Sequence, residues 1–282
     1  MVDHIAATEH TAVGAMVFSV VTPVYNRSNL MHRSLQSSLA LIAAGFFSEL
    51  VVVDDGSTDD SVAVIRRQYA QAIAEGTLRL IELGVNQGVA AAKNAGAQAA
   101  TGDWLIFMDS DDWFVDAQVP AMLQNMQQKH ATDVFFFRCR DQQSRALIGR
   151  PMSARELSLA DMLNGGTPGE CLPVVRRSVI LQHLYPAALR GSEGLSYLAM
   201  LKAGFRIHLS ELVVREYDDI STERLSSPAG LKKRARFLFL HNVQMLKYWR
   251  HARLSTLCGW LARLGYYGML TLRNWLAGLS RR

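Results

Sequence analysis

The chain has 282 residues, 49% of them apolar and 20% charged, which is enough to bury a full core and excludes a disordered protein. Cys139, Cys171 and Cys258 are widely spaced and form no CxxC pair, so neither a zinc ribbon nor a disulfide framework is expected. The net charge of +5 divides unevenly. From Arg224 to the C-terminus there are twelve Lys or Arg and no acid, so residues 1–223 hold 18 basic and 25 acidic residues, a net of −7.

In chain order, apolar runs at Val17 to Val21, Leu50 to Val53, Leu78 to Leu83, Trp104 to Met108 and Val134 to Phe137 read as strands. Ala-rich or helix-period segments near 28–45, 60–75, 88–100 and 116–130 separate them. This βαβα order predicts an α/β fold, a mostly parallel, Rossmann-like sheet flanked by helices, with the ligand site in loops at the carboxyl ends of the strands. The segment 139–190 contains Gly165-Gly166, Pro168-Gly169 and Pro173 and reads as irregular, substrate-shaping structure. The first sixteen residues lack the basic start and apolar core of a signal peptide, and no apolar run reaches the length of a membrane span. A cytoplasmic setting is expected. Residues 226–282 interleave their positive charges with Phe237, Phe239, Trp249, Trp260, Tyr266, Tyr267 and Trp275, a basic amphipathic tail suited to an anionic membrane surface. The bland alternative is a set of packing helices whose arginines are merely solvated. No nucleic-acid partner is expected.

Four strand ends carry polar residues of one kind. They are Thr22-Pro23-Val24-Tyr25-Asn26-Arg27, Asp54-Asp55-Gly56-Ser57-Thr58-Asp59, Asn86-Gln87-Gly88 and Asp109-Ser110-Asp111-Asp112. Ser57 with Asp60 also resembles a helix capping box, the ordinary reading of the second cluster. Three carboxylates in four residues after a buried run need a cation nearby, and oxygen ligands suit Mg²⁺ or Mn²⁺. There is no GxxxxGK[ST] loop and no glycine in the first βα turn, so neither a Walker A cradle nor a dinucleotide fingerprint holds phosphate here. A carboxylate-bound metal bridging phosphates is the alternative.

These motifs, with Ala92-Lys93-Asn94-Ala95-Gly96, resemble in order and spacing the family 2 glycosyltransferases of GT-A fold, over about residues 17–225. The resemblance implies a catalytic domain, 1–225, with a nucleotide-sugar half (1–135) and an acceptor half (136–225), followed by the tail. It implies that Thr22, Pro23, Tyr25, Asn26, Asp54, Asp55, Asn86, Gly88, Lys93, Asp109 and Ser110 line the nucleotide site. Asp55 or Asp54 would contact the base, Asp109 the ribose side, and Asp111 with Asp109 the metal. Lys93 stands where the family usually has Arg. The family's catalytic base lies in a Glu-Asp pair, and Glu193, in Gly191-Ser192-Glu193-Gly194, falls at the aspartate's place; a helix-capping acid is its other reading. Glu211-Leu212-Val213-Val214 followed by Ser221 to Ser226 resembles the family's closing strand and loop, with Asp218 or Asp219 near a diphosphate-binding position.

The activity implied is inverting, metal-dependent transfer from a nucleotide-sugar, UDP-sugar favoured, to a saccharide acceptor. Relatives that build bacterial surface polysaccharides use a lipid-diphosphate-linked one, which would place the enzyme on the inner face of the cytoplasmic membrane. Gln244-Met245-Leu246-Lys247-Tyr248 is a near miss to the QxxRW element of processive synthases, so single-sugar transfer is expected. A non-catalytic nucleotide-binding protein of the same fold is the alternative. A receiver domain would be shorter, and a sugar nucleotidyltransferase would open with a Gly-rich basic loop.

Overall fold

A computed structural model describes residues 16–217, 231–232 and 234–279. Strand formation follows the apolar runs closely. The front half alternates β1 (Phe18–Val24), α1 (His32–Ala43), β2 (Glu49–Asp54), α2 (Ser61–Gln68), α3 (Ala70–Ala74), β3 (Leu78–Glu82), α4 (Val89–Ala99) and β4 (Trp104–Phe107). A two-residue β5 (Trp113–Phe114), α5 (Val119–Gln128) and β6 (Val134–Asp141) follow. Strands β1 to β4 pair in parallel, as the βαβ rhythm dictates.

Side-chain alternation along these strands divides the interior into two cores. Val20, Val24, Leu50, Val52 and Ile106 face α1, α2 and α5 through Leu35, Ile65 and Met122. Val21, Val51, Val53, Leu105 and Phe107 face the opposite layer, where Ala90, Ala92 and Ala97 of α4 pack. The small residues of α4 let it lie close to the sheet. A Cβ at Gly96 would come within 2.3 Å of Val21 Cγ1 and 3.2 Å of Val53 Cγ2.

The segment 139–190 is a correction to the irregular structure expected from its Gly-Pro content. It holds β7 (Arg155–Leu157), α6 (Leu159–Asn164), β8 (Cys171–Arg176) and α7 (Arg177–Gln182), and is followed by α8 (Gly194–Lys202) and β9 (Ile207–Tyr217). Strand β8 enters the middle of the sheet, antiparallel to both β4 and β6, in the order β3-β2-β1-β4-β8-β6-β9-β5, with β7 on β9. Pro173 is tolerated there because β4 pairs only with residues 174–176, so Pro173 faces Phe136 of β6 beyond the end of the β4 ladder. The parallel half is thus continued through antiparallel β8 to the parallel β6–β9 pair, with β5 and β7 antiparallel to β9, to give one mixed, nine-stranded sheet.

Beyond residue 233 the chain forms α9 (Ala235–Met245), a 3₁₀ turn (Leu246–His251) and the 26-residue α10 (Leu254–Leu279). Met245 and Trp260 pack with Leu163 of α6 and Leu198 of α8, so one face of the tail is fastened to the α/β body. Among the described residues no helix is long and apolar enough to cross a membrane. Asp218, Asp219 and Ser221 to Ser226 lie outside the described residues.

Candidate active site

The carboxyl ends of β1, β2 and β4 lie side by side, since Val24 registers with Asp54 and Val21 with Phe107. The loops that leave them are tied together by side chains. Asn26 adopts φ 51°, a left-handed conformation that Asn tolerates, and its Oδ1 accepts the Thr58 N–H at 2.8 Å. The Ser57 hydroxyl accepts the Asn26 N–H at 2.9 Å, and Asp54 Oδ2 accepts the Ser57 N–H at 3.0 Å. Asp60, at the start of α2, makes no side-chain cap, so the capping-box reading does not hold. The Ser57 hydroxyl joins the β1 and β2 loops instead.

Asp55, 3% exposed, clamps the third motif. Its two oxygens accept the Gln87 and Gly88 N–H groups at 2.7 and 2.8 Å, just ahead of α4. Gly88 has φ +97°, and a Cβ there would lie 3.2 Å from the Arg190 side chain, whose Nη2 donates to the Asn86 carbonyl at 3.0 Å. Buried Asp54 Oδ1 and Thr22 Oγ1 have no hydrogen-bond partner among the described residues, while Tyr25 is exposed.

The fourth motif is met by three protein cations. Lys93 Nζ, from α4, sits 3.0 Å from Asp109 Oδ1. Arg215, from β9, reaches Asp109 Oδ2 at 3.4 Å and Asp112 Oδ2 at 3.3 Å, and its Nε donates to Cys139 Sγ at 3.0 Å. Arg27 stands 3.7 Å from Asp111 Oδ2. The Ser34 hydroxyl donates to the Asp109 carbonyl at 3.0 Å, which fixes the turn against α1, and Ser110 is buried within that turn.

This arrangement separates the two carboxylates electrostatically. Burial raises the pKa of Asp109, but Lys93, then Arg215 and Arg27, outweigh it and hold the group below the usual range. Burial and the neighbouring Asp109 charge push Asp111 up, against the pull of Arg27. Lys93 is lowered by burial and raised more strongly by Asp109 and Glu193, with a net shift upward. Asp111 is therefore the carboxylate that a further cation would relieve most. Among the described residues no three His, Cys, Asp or Glu side chains cluster to hold a metal by themselves. The donor set fits a divalent ion that takes one or two carboxylate oxygens and completes its shell from phosphate.

Glu193 immediately precedes α8 and makes no side-chain cap to it, so the helix-capping reading fails. Its charge contributes upward to the pKa values of Lys93, Tyr185, Tyr197 and Arg234, which puts it within electrostatic reach of the Lys93 that pairs with Asp109. The Tyr185 and Tyr197 hydroxyls are 2.7 Å apart, and burial drives both pKa values up, so neither is a base near neutrality.

Arg215 and Arg190 escaped the sequence reading, as did the facing of Arg27 toward Asp111. Arg215 lies one residue past the Glu211 to Val214 stretch singled out as a closing strand. The signal was available in the need of Asp109 to Asp112 for a buried counter-charge.

An α/β sheet of this order, with acidic turns at the carboxyl ends of its parallel strands and β8 inserted antiparallel between β4 and β6, is of the GT-A type. The sequence model of Glycosyl transferase family 2 matches residues 19–180, more than half of the chain, and the protein belongs to that family. It is 33% identical over 114 residues to an uncharacterized glycosyltransferase of Haemophilus influenzae, a match covering 40% of this chain and 44% of that one. It thus spans less than half of that relative's length. A GalNAc(5)-diNAcBac-PP-undecaprenol beta-1,3-glucosyltransferase of Campylobacter jejuni is 24% identical over 81% of this chain and 72% of its own. Among solved structures, S. aureus TarS 1–349 in complex with UDP-GlcNAc aligns with TM-score 0.61 and 22% identity, over 81% of this chain and 66% of that one. The Pyrobaculum calidifontis mannosyltransferase PcManGT, in complex with GDP-Man and Mn²⁺, aligns with TM-score 0.56 and 19% identity, over 82% and 64%. These likenesses establish the fold.

Proposed function

We propose that the protein transfers a single sugar, with inversion, from a UDP-sugar to a saccharide acceptor carried on a lipid diphosphate at the inner face of the cytoplasmic membrane. The observation that supports the reading is that Asp109 and Asp111 follow β4, whose carboxyl end lies beside that of β1 and so next to β2, with Lys93 paired to Asp109 and the Glu193 charge within electrostatic reach of Lys93. The solved complexes of UDP-GlcNAc and of GDP-Man with Mn²⁺ on the same fold support a nucleotide-sugar donor and a divalent ion, and the C. jejuni relative's name supports a lipid-linked acceptor.

In this reading residues 1–135 bind the nucleotide and residues 136–225 shape the acceptor side. Tyr25 stacks on the base, and Thr22, Pro23, Asn26 and Asp54 border it. Asp55 holds the Asn86 to Gly88 turn against the pocket. Asp109, fixed by Lys93 and Arg215, faces the ribose beside Ser110. Asp111, with Asp109 next to it, would hold Mn²⁺ or Mg²⁺, which supplies positive charge to the departing diphosphate when bound. Lys93 keeps a positive charge near the phosphates without the planar fork of an arginine. Glu193 accepts the proton of the acceptor hydroxyl as that oxygen attacks the anomeric carbon, and the nucleoside diphosphate leaves from the opposite face.

Calorimetric titration with UDP, GDP and dTDP, each with and without Mn²⁺, tests the donor site. Metal-dependent binding of UDP, lost in Asp111→Ala, is expected; no binding of any nucleotide would remove the reading. Glu193→Gln should lower kcat by about 10²–10⁴-fold while nucleotide affinity holds. Unchanged turnover would show that Glu193 is not the base.

A further inference from the structure

Helix α10 has two apolar faces, and only one of them is covered. Trp260 is 2% exposed among Leu163, Leu198 and Met245, Gly268 lies against Phe239, and Arg263 Nε donates to Asn242 Oδ1 of α9 at 3.2 Å. These contacts fasten the inner face. On the outer face Leu254, Leu261, Met269, Leu272 and Leu276 are 76, 53, 68, 56 and 52% exposed, and Cys258 and Gly265 lie exposed among them. Their spacing of 4, 3, 4, 4, 3 and 4 residues confines them to an arc of about 80° along roughly 33 Å of helix. A continuous bare stripe of this length is far from the scattered single apolar residues that ordinary surfaces show.

The surroundings decide what covers it. Tyr266 and Trp275 flank the stripe at 50 and 61% exposure, and Trp249, with the Arg250 guanidinium over its ring, stands just before the helix. Arg250, Arg253 and Arg273 are exposed, and no Asp or Glu follows residue 223. A second copy meeting this face would bring arginines against arginines with no acid to answer them. An anionic bilayer meets the cations with phosphate, the aromatic rings with its headgroup boundary and the stripe with acyl chains. The helix does not qualify as a span, which suits lying in the plane.

We infer that α10 inserts edge-on into one leaflet of an anionic membrane through the Leu254–Leu276 stripe, while its opposite face stays clamped to α6, α8 and α9. The inference rests on the membrane placement proposed above and specifies it: the docking is a fixed orientation set by one helix face, not a loose electrostatic tether. Glu193 immediately precedes α8, and α8 packs on the inner face of the tail through Leu198. The catalytic body is thereby held at a set attitude to the bilayer.

The test is co-sedimentation of the full chain with vesicles of phosphatidylcholine alone or with phosphatidylglycerol, comparing wild type with the Leu261→Glu/Leu272→Glu variant. Wild type should partition into the anionic vesicles and the variant should lose at least about tenfold in partitioning, with its thermal melt and nucleotide binding unchanged. A second readout uses the wild-type chain alone. Vesicle lipids brominated on the acyl chain should quench its tryptophan fluorescence, and Trp275→Phe should remove most of that quenching. Wild type left in the supernatant, equal binding by the double variant, or quenching untouched by Trp275→Phe would overturn the inference. So would a concentration-dependent dimer by light scattering that the same two substitutions dissolve, since the stripe would then join two copies. Vesicle binding without turnover would leave the docking face standing and count against the transferase reading alone.

Discussion

Replacing Arg215 by Met probes the counter-charge on which the acidic turn is built. The guanidinium is 2% exposed and lies 3.3 Å from Asp112, itself 1% exposed, 3.4 Å from Asp109, 3.6 Å from Glu170 and 3.0 Å from Cys139 Sγ. Methionine keeps most of the volume, so the loss is electrostatic rather than a cavity. Removing one partner of a buried pair costs about 3–5 kcal/mol, because the remaining charge keeps its desolvation penalty. Both side chains are almost wholly shielded, so no discount for solvent applies. For a domain of this size that corresponds to a fall in Tm of about 10 °C. Urea unfolding followed by circular dichroism measures the loss, and the Arg215→Met/Asp112→Asn variant should recover part of it by removing the second charge as well. Nucleotide binding should weaken in the single variant, since Asp109 keeps Lys93 but loses its second anchor. A loss under about 1 kcal/mol, or a double variant no more stable than the single one, would refute the reasoning.

Two further substitutions address separate contacts. Asp55→Ala removes the carboxylate that holds the Gln87 and Gly88 N–H groups, and should cost about 2–4 kcal/mol by the charge-assisted scale and raise the Kd for nucleotide; an unchanged melt would show that the turn holds itself. Glu49 accepts from Ser19 Oγ at 2.7 Å and from the Thr101 N–H and hydroxyl at 2.6 and 2.7 Å; although burial raises its pKa, these bonds and Arg79 lower it further. Its stabilisation is thus present above the ordinary glutamate value of 4.5 and is lost as pH falls below it. Glu49→Gln should destabilise at pH 7 by about 1–3 kcal/mol, a gap that closes toward pH 3 in urea titrations; a gap independent of pH would dismiss the assignment.

The front half of the fold was legible because its strands from Phe18 to Phe107 are short, mostly apolar segments ending in polar turns. β8 was not, because Pro173 argues against a central strand and only the short β4 ladder makes it harmless. The four motifs did mark one place, and three of them are joined by Asn26, Ser57 and Asp55. What could not be read was the partner of each carboxylate. Local sequence shows the charges of Asp109 and Asp112, whereas Arg215 arrives from over a hundred residues away, through a strand register that no local pattern encodes. Glu193 was found by resemblance; its missing cap to α8 could be seen only in three dimensions.

The position of Arg215 also bears on the order in which this molecule can be assembled. β5, directly after the acidic turn, has no strand neighbour until β9 is made, and Phe114 registers with Arg215 itself. β4 likewise lacks its outer neighbour until residues 174–176 exist. A chain ending near residue 135 would therefore expose an unpaired strand edge beside uncompensated carboxylates, the long-range pairing that folds late and exposes partly made sheets. Residues 1–135 and those that follow are consequently not separable pieces: the front half borrows a partner strand for β4 and a buried cation from residues that follow it, and the acidic turn gains its Arg215 counter-charge only when β9 closes the sheet.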